Sequence, residues 1–259
     1  MLLAIDVGNT YTKLGFFGRN GGDVGTLLQT WRVSTSRSRS SDEFGVLFRS
    51  LFAGTALAHD EIEAIVISSV VPQIDQLLAE ACVRYLRVQP LFLSAASQDL
   101  IVIRTDRPKE LGADFVAAAI GAVGIYGSPA VVISFGTATT FGAISADGAF
   151  LGAAIAPGIQ ISIDALVART AKLPQIALHA PPETIGRDTV SALQSGIIYG
   201  FVGQVEGLVQ RIKREIGEEA QVIATGGLAE VIARHSSAID TVDPHLILEG
   251  LRRYYDAVR

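Results

Sequence analysis

The sequence predicts an α/β protein made of two similar halves, and three observations carry that expectation. An apolar strand, a glycine turn edged with hydroxyl residues and a returning strand open the chain and recur in its middle. The order of elements after each opening is the same. Composition supplies the third: 49% of the 259 residues are apolar and 18% are charged, which permits a sizeable core and excludes global disorder.

The first opening reads LLAIDVGNTYTKLGFF, a strand, a tight turn at Gly8 and a second strand to Phe17. The second reads AVVISFGTATTFGAIS, and a constant offset sets Asp6 against Ser134, Gly8 against Gly136 and Thr12 against Thr140. In the first half Ser40 and Glu43 spell a capping box ahead of Phe44, Leu47, Leu51 and Phe52. A buried strand EAIVISSVVP follows, then an amphipathic helix through Tyr85 and the strand PLFLSA. The second half offers a long helix from about Thr189 to Ile216, the strand QVIATGG and a short helix around Glu230. A βββ-αβ-αβ pattern written twice predicts a duplicated actin-like (ribonuclease H-like) α/β fold, two lobes around an ATP cleft. The expected lobes are 1–110 and 111–259, with 101–126 as the hinge-side connection and a helix after LGAD.

Several function classes drop out. A formal charge of -5 argues against a nucleic-acid or anionic-membrane binder working by bulk electrostatics. Arg37 and Arg39 in SRSRS read as a solvated loop. A single cysteine builds no disulfide framework, which suits a reducing, cytoplasmic setting. Cys82 shares a helical stripe with Ile74, Leu77, Leu78, Ala81 and Tyr85, as a core thiol would. The chain enters a strand at once, without a basic leader, so secretion is not expected. No charged residue separates Asp114 from Asp147, but glycines and Pro129 break that stretch, and no membrane span is expected. His59, His179, His235 and His245 lack metal-ligand spacing.

The chemistry gathers at the turns. A glycine after a strand lets backbone N–H groups approach an anion that a side chain would exclude. Threonine hydroxyls add donors, Lys13 adds a positive charge, and Asp6 at the strand end can hold Mg²⁺ or its water. No P-loop sequence and no strand-linked G-x-G-x-x-G occurs. Gly226 and Gly227 would let the backbone approach a flat adenine ring; the alternative is a plain strand-to-helix turn. Asp114, in LGADFVAAAIGA, has two readings. It is either a first-turn carboxylate favoured by the helix dipole or a general base for phosphoryl transfer, and spacing alone favours the former.

Taken together, these residues resemble the type III pantothenate kinases, the family that includes the Bvg accessory factor proteins. The resemblance runs through AIDVGNTYTKLG (4–15), Trp31-Arg32 with Thr35, SDEF (41–44), SSVVP (68–72), LGAD (111–114) and FGTATTF (135–141). It continues through GAAIAPGI (152–159), KLP (172–174), IGRDT (185–189), ATGGLA (224–229) and VDPHLILEGL (242–251). It implies an ATP-dependent kinase that phosphorylates pantothenate to 4'-phosphopantothenate in coenzyme A biosynthesis. By the same resemblance Asp6, Val7, Gly8, Asn9, Thr10, Tyr11, Thr12 and Lys13 hold the ATP phosphates and Mg²⁺. Gly136 and Thr137 would touch ATP from the second loop, and Asp114 would be the proton acceptor. Gly112 and Ala113 would line the pantothenate pocket, and Thr189 would reach pantothenate across a homodimer interface. A monovalent cation, K⁺ or NH₄⁺, is implied as well.

The sequence departs from the family pattern at three places. Phe115 stands where G-x-D-R has its arginine, with Arg104 and Arg107 as neighbouring substitutes; Ser134 stands where D-F-G-T has its carboxylate, the monovalent-cation position; Thr105 replaces a tyrosine. These leave an alternative open: a non-catalytic or altered-specificity nucleotide-binding paralogue with a regulatory or partner-binding role.

Overall fold

The computed structural model describes residues 1–20, 23–55, 61–170 and 172–259. His59 lies outside the described residues. Among the described residues ten strands form two sheets. The first joins β1 (Leu2–Val7), β2 (Tyr11–Asn20), β3 (Asp23–Ser34), β4 (Ala64–Ser69) and β5 (Leu91–Phe92) in the spatial order β3-β2-β1-β4-β5. The second joins β6 (Ala130–Phe135), β7 (Ala138–Ile144), β8 (Phe150–Pro157), β9 (Gln221–Gly226) and β10 (Thr241–Val242) in the order β8-β7-β6-β9-β10. The two orders are identical when each sheet is counted from its own first strand. That is the duplication the repeated openings predict.

Helices α1 (Ser41–Ala53) and α2 (Pro72–Ala81, prolonged by a π turn at Cys82–Leu86) flank the first sheet; α3 (Ala113–Tyr126) follows. The second half contains α4 (Ile159–Ala168), α5 (Thr189–Ile216) and α6 (Ala229–Ala233), and α7 (Leu246–Val258) ends the chain. Local signals set the helix starts. Ser40 accepts the Glu43 N–H while the Glu43 carboxylate accepts the Ser40 N–H, the reciprocal cap expected. Asp188 caps α5 by accepting from the N–H groups of Val190 and Ser191. Helices α4 and α7 have no counterpart among the sequence expectations.

Strand β1 is buried at every residue because both of its edges are paired and both faces are covered. Leu3, Ile5 and Val7 point into a core with Phe16, Phe48, Ile65 and Ile74. Cys82 joins that core, as a core thiol would, and burial pushes its thiol up to about 12, which disfavours the thiolate. Helix α7 returns to this sheet and meets α3: a Cβ at Gly250 would stand 1.8 Å from the Ala117 carbonyl oxygen. In the second half Val131, Ile133, Phe135, Phe141 and Val222 pack with Val205 and Val209 of α5. The uncharged stretch after Asp114 divides into α3, β6 and β7, and no helix among the described residues is long and apolar enough to cross a membrane.

Contacts group the chain into two units: residues 1–102, 106–124 and 246–259 form one, and 103–105 with 125–245 form the other. The division differs from the expected break after residue 110, because α7 packs on the first sheet and most of α3, which meets α7, groups with that unit.

The constant-offset match of Thr12 with Thr140 is corrected by the strand register. Val7 pairs with Thr12 across the first turn, whereas Phe135 pairs with Thr139 across the second. The second turn is one residue shorter. Thr139 is therefore the counterpart of Thr12, and Thr140 the counterpart of Lys13.

Candidate functional site

In the first unit the turn after β1 is closed by the Gly8 N–H, which donates to the Tyr11 carbonyl at 3.1 Å. Thr35, just past β3, pins it from the side. Its hydroxyl donates to the Gly8 carbonyl (2.7 Å) and its N–H to the Thr10 carbonyl (3.0 Å). With that proton committed, the 2.9 Å contact between the Thr12 and Thr35 hydroxyls has Thr12 as donor. Two arginines border the turn. The Arg32 guanidinium lies 3.6 Å from the Tyr11 ring centroid, and Arg37 donates to Asn9 Oδ1 at 3.0 Å. Arg37 is thus exposed, as a solvated loop residue would be, yet anchored on the turn.

Asp6 sits opposite Lys13 on β2 and beside Ser68 on β4. The Ser68 hydroxyl, fully buried, donates to Asp6 Oδ1 at 2.7 Å. Only 8% of Asp6 is exposed, and burial raises its carboxyl to about 6; Ser68 and Lys13 pull it down, and Asp114 adds a small upward push. The Lys13 ammonium is lowered by burial, with Asp6 opposing and Arg32 reinforcing that shift. A carboxylate held out of water gains most from a cation. Among the described residues no group of three or more histidine, cysteine or acidic side chains is placed to hold a metal. The donor set fits Mg²⁺ in its usual manner, one carboxylate supplemented by waters and phosphate oxygens.

Asp114 lies in the first turn of α3, where its Oδ1 accepts the Phe115 N–H at 2.9 Å. Burial raises its carboxyl above the ordinary range against that hydrogen bond. A Cβ at Gly112 would stand 2.5 Å from the same oxygen, so glycine there makes room for the carboxylate. The two readings of Asp114 are compatible: it occupies a first turn and is also a desolvated, more basic carboxylate. Ala113 is buried; Gly112 and Phe115 are half-buried. The two arginines that precede the altered position in sequence are engaged, Arg107 with Glu110 at 3.3 Å and Arg104 with Asp147. Thr105 belongs to the second unit, next to the backbone link from the Arg104 N–H to the Phe150 carbonyl (2.8 Å).

The second unit repeats the backbone but not the charge. The Gly136 N–H donates to the Ala138 carbonyl at 3.0 Å, and the Thr137 carbonyl accepts from Gly158 at 3.1 Å, leaving Gly136 and Thr137 exposed. Ser134 stands opposite Thr140 and beside Thr225. Hydroxyls replace the whole Asp6, Lys13 and Ser68 set. The Thr225 hydroxyl (1% exposed) and that of Thr139 are buried and have no hydrogen-bond partner. Their oxygens suit a hard cation, but the three residues supply no counter-charge for K⁺. Gly226 has φ +102 at the end of β9, and a Cβ there would meet the Phe135 carbonyl oxygen at 2.3 Å. Gly227 follows, exposed, and Thr189 is exposed at the first position of α5.

Ser68, Thr35 and Arg37 are absent from the site residues expected from sequence. SSVVP and Thr35 were visible as motifs, but only the parallel β1–β4 pairing and the fold-back after β3 bring them to the turn.

A fold of two like-connected units, each with a glycine turn at the end of its central strand, defines the actin-like class. Solved structures agree. A Baf-family protein from Campylobacter jejuni has a TM-score of 0.61 at 19% identity, over 98% of each chain. The ethanolamine utilization protein EutJ from Carboxydothermus hydrogenoformans gives 0.55 at 16%, over 97% of this chain and 89% of that one. The activator of the 2-hydroxyisocaproyl-CoA dehydratase from Clostridium difficile, with bound ADPNP, gives 0.53 at 12%, over 99% and 94%. Within that class the assignment is specific. The type III pantothenate kinase model matches residues 2–211, and the type III pantothenate kinase of Moorella thermoacetica is 47% identical over 256 residues, 99% of both chains. The chain belongs to the type III pantothenate kinase family.

Proposed function

We propose that this protein transfers the γ-phosphoryl group of ATP to the primary hydroxyl of pantothenate, giving 4'-phosphopantothenate and ADP on the way to coenzyme A. The observation that carries the reading is the desolvated Asp114 in the same unit as the Asp6–Lys13 turn. Asp114 takes the hydroxyl proton as the new O–P bond forms and the bridging P–O bond to ADP breaks. Asp6, through coordinated water, would hold the magnesium ion, which supplies neutralisation of β- and γ-phosphate charge. Backbone N–H groups of residues 8–12 and the Lys13 ammonium orient the phosphates. Within the second unit, Gly136, Thr137, Gly226 and Gly227 would present backbone to a nucleotide. Gly112, Ala113 and Phe115 bound the acceptor.

A homodimer is part of the proposal. Support comes from the second unit, where Ile155 on the edge strand β8 is 68% exposed and Ile185, ahead of α5, is 80% exposed. A cytoplasmic location suits a chain whose one cysteine is a buried thiol. The neutral Ser134, Thr140 and Thr225 set leads us to propose that K⁺ or NH₄⁺ stimulates only weakly. The test is pantothenate-dependent ADP release with Mg²⁺, with and without K⁺ or NH₄⁺; no release under any of these conditions overturns the reading. Phe115 and the same hydroxyl set favour a second reading, a nucleotide-binding paralogue without turnover or with another acceptor. ATP binding without turnover on pantothenate would establish that reading.

A further inference from the structure

The first unit contains a cavity of about 550 Å³, lined by Ser69, Asp75, Phe92, Lys109, Gly112 and Ala113 among others. Its size is that of a small-molecule site, and its lining is mostly apolar with a few polar groups. One end is formed by Gly112, against which the Asp114 carboxylate lies. The polar groups are of opposite kinds. Asp75 Oδ1 accepts from the Ser69 hydroxyl at 2.5 Å, which leaves its other oxygen for a donor on a ligand. Lys109, on the short 3-10 turn Pro108–Glu110, is the cavity's one cation. Among the described residues it has no ion-pair partner, while Arg104 and Arg107, which precede it in sequence, are both taken.

A ligand that fits this lining has a carboxylate at one end, N–H or O–H donors along its length and an apolar body. We infer that Lys109 binds the carboxylate of the acceptor, with Asp75 accepting from its amide or hydroxyl hydrogen. This deepens the proposed function and rests on it. Lys109 is a specificity-determining residue, selecting an anionic acceptor over its neutral amide, and it does at the cavity what an arginine at position 115 cannot do here. An exposed lysine gains little from a solvated partner, but a charge-assisted hydrogen bond formed as the ligand desolvates it gains more.

The experiment compares wild type, Lys109→Ala and Lys109→Arg with pantothenate and with the neutral primary amide of pantothenate. Acceptor-dependent ADP release and calorimetric binding are both measured. We expect Lys109→Ala to raise KM and Kd for pantothenate about tenfold with kcat little changed, to leave the neutral amide unaffected, and Lys109→Arg to restore pantothenate. Equal KM and Kd in wild type and Lys109→Ala, or an equal loss for both compounds, overturns the inference while the kinase reading stands. Absence of any pantothenate-dependent release or binding in wild type overturns the proposed function itself.

Discussion

In the first unit the strand entering the glycine turn carries Asp6 one residue before its end, with Lys13 across from it and Ser68 beside it. In the second that place is taken by Ser134, with Thr140 and Thr225 in the matching places. Both turns are closed by a glycine N–H to a carbonyl two or three residues on. The backbone geometry therefore does not depend on which side chain occupies that place. What differs is the electrostatic content: one turn carries buried charge of both signs, the other only hydroxyls. The two copies share the backbone form of the turn, and the buried charge is found on one of them.

The difference can be tested from its strongest consequence to its weakest. Replacing Asp114 with Asn removes the proposed base from the charged unit, and pantothenate-dependent ADP release should fall about 10²- to 10⁴-fold with ATP binding retained. Unchanged turnover would show that another group accepts the proton.

Converting the first turn to the second comes next. Lys13→Thr alone strips a buried carboxylate of its neighbouring cation and should destabilise the fold by about 3–5 kcal/mol in urea unfolding. Asp6→Ser with Lys13→Thr, which copies the second turn, should restore stability to within about 1 kcal/mol of wild type or above it. That double variant should lose Mg²⁺-dependent ATP use. A double variant as unstable as the single one would mean that the two residues are not coupled.

The third test is pH. The Asp6 carboxyl is raised from 3.8 to about 6 in the folded chain. Between those values the folded state keeps a proton that the unfolded state has lost. Its contribution is therefore full below pH 3.8 and is lost as pH rises through about 6, a change of about 3 kcal/mol. Urea unfolding at pH 4 to 7 should show this slope in wild type and lose it in the Ser/Thr double variant. The smallest effect is expected from Ser134→Asp. A half-buried carboxylate there should add K⁺ stimulation of up to about fivefold in ADP release; no response to K⁺ would place the cation question elsewhere.

Much of the architecture was legible in the sequence because its signals are local. The two hairpin openings, the Ser40–Glu43 cap and the long periodic helix from Thr189 to Ile216 each lie within a few turns of chain. Register was not, since a constant offset cannot register a turn one residue shorter, and so Thr140 was matched with Thr12 in place of Lys13. Helix α7 was missed because what fixes it is contact with β1 and α3, far away in sequence. The site divided along the same line. Asp6, Lys13, Gly112 and Asp114 could be named from motifs, but Ser68 reaches Asp6 only through a parallel pairing. Lys109 lay beside a recognised motif with nothing in its own surroundings to single it out. Its importance depends on a cavity whose walls come from α2, β5 and the start of α3.

The membership of α7 in the first unit has a consequence for the order in which the protein can be made. Residues 125–245 are nearly all of the second unit and leave the ribosome as one continuous run. The first unit must wait, because α7, which packs on its strands β1 and β4, is made only after the whole of the second unit. During translation the half that starts first finishes second. An apolar surface therefore stays open beside the nascent glycine turn until α7 has emerged.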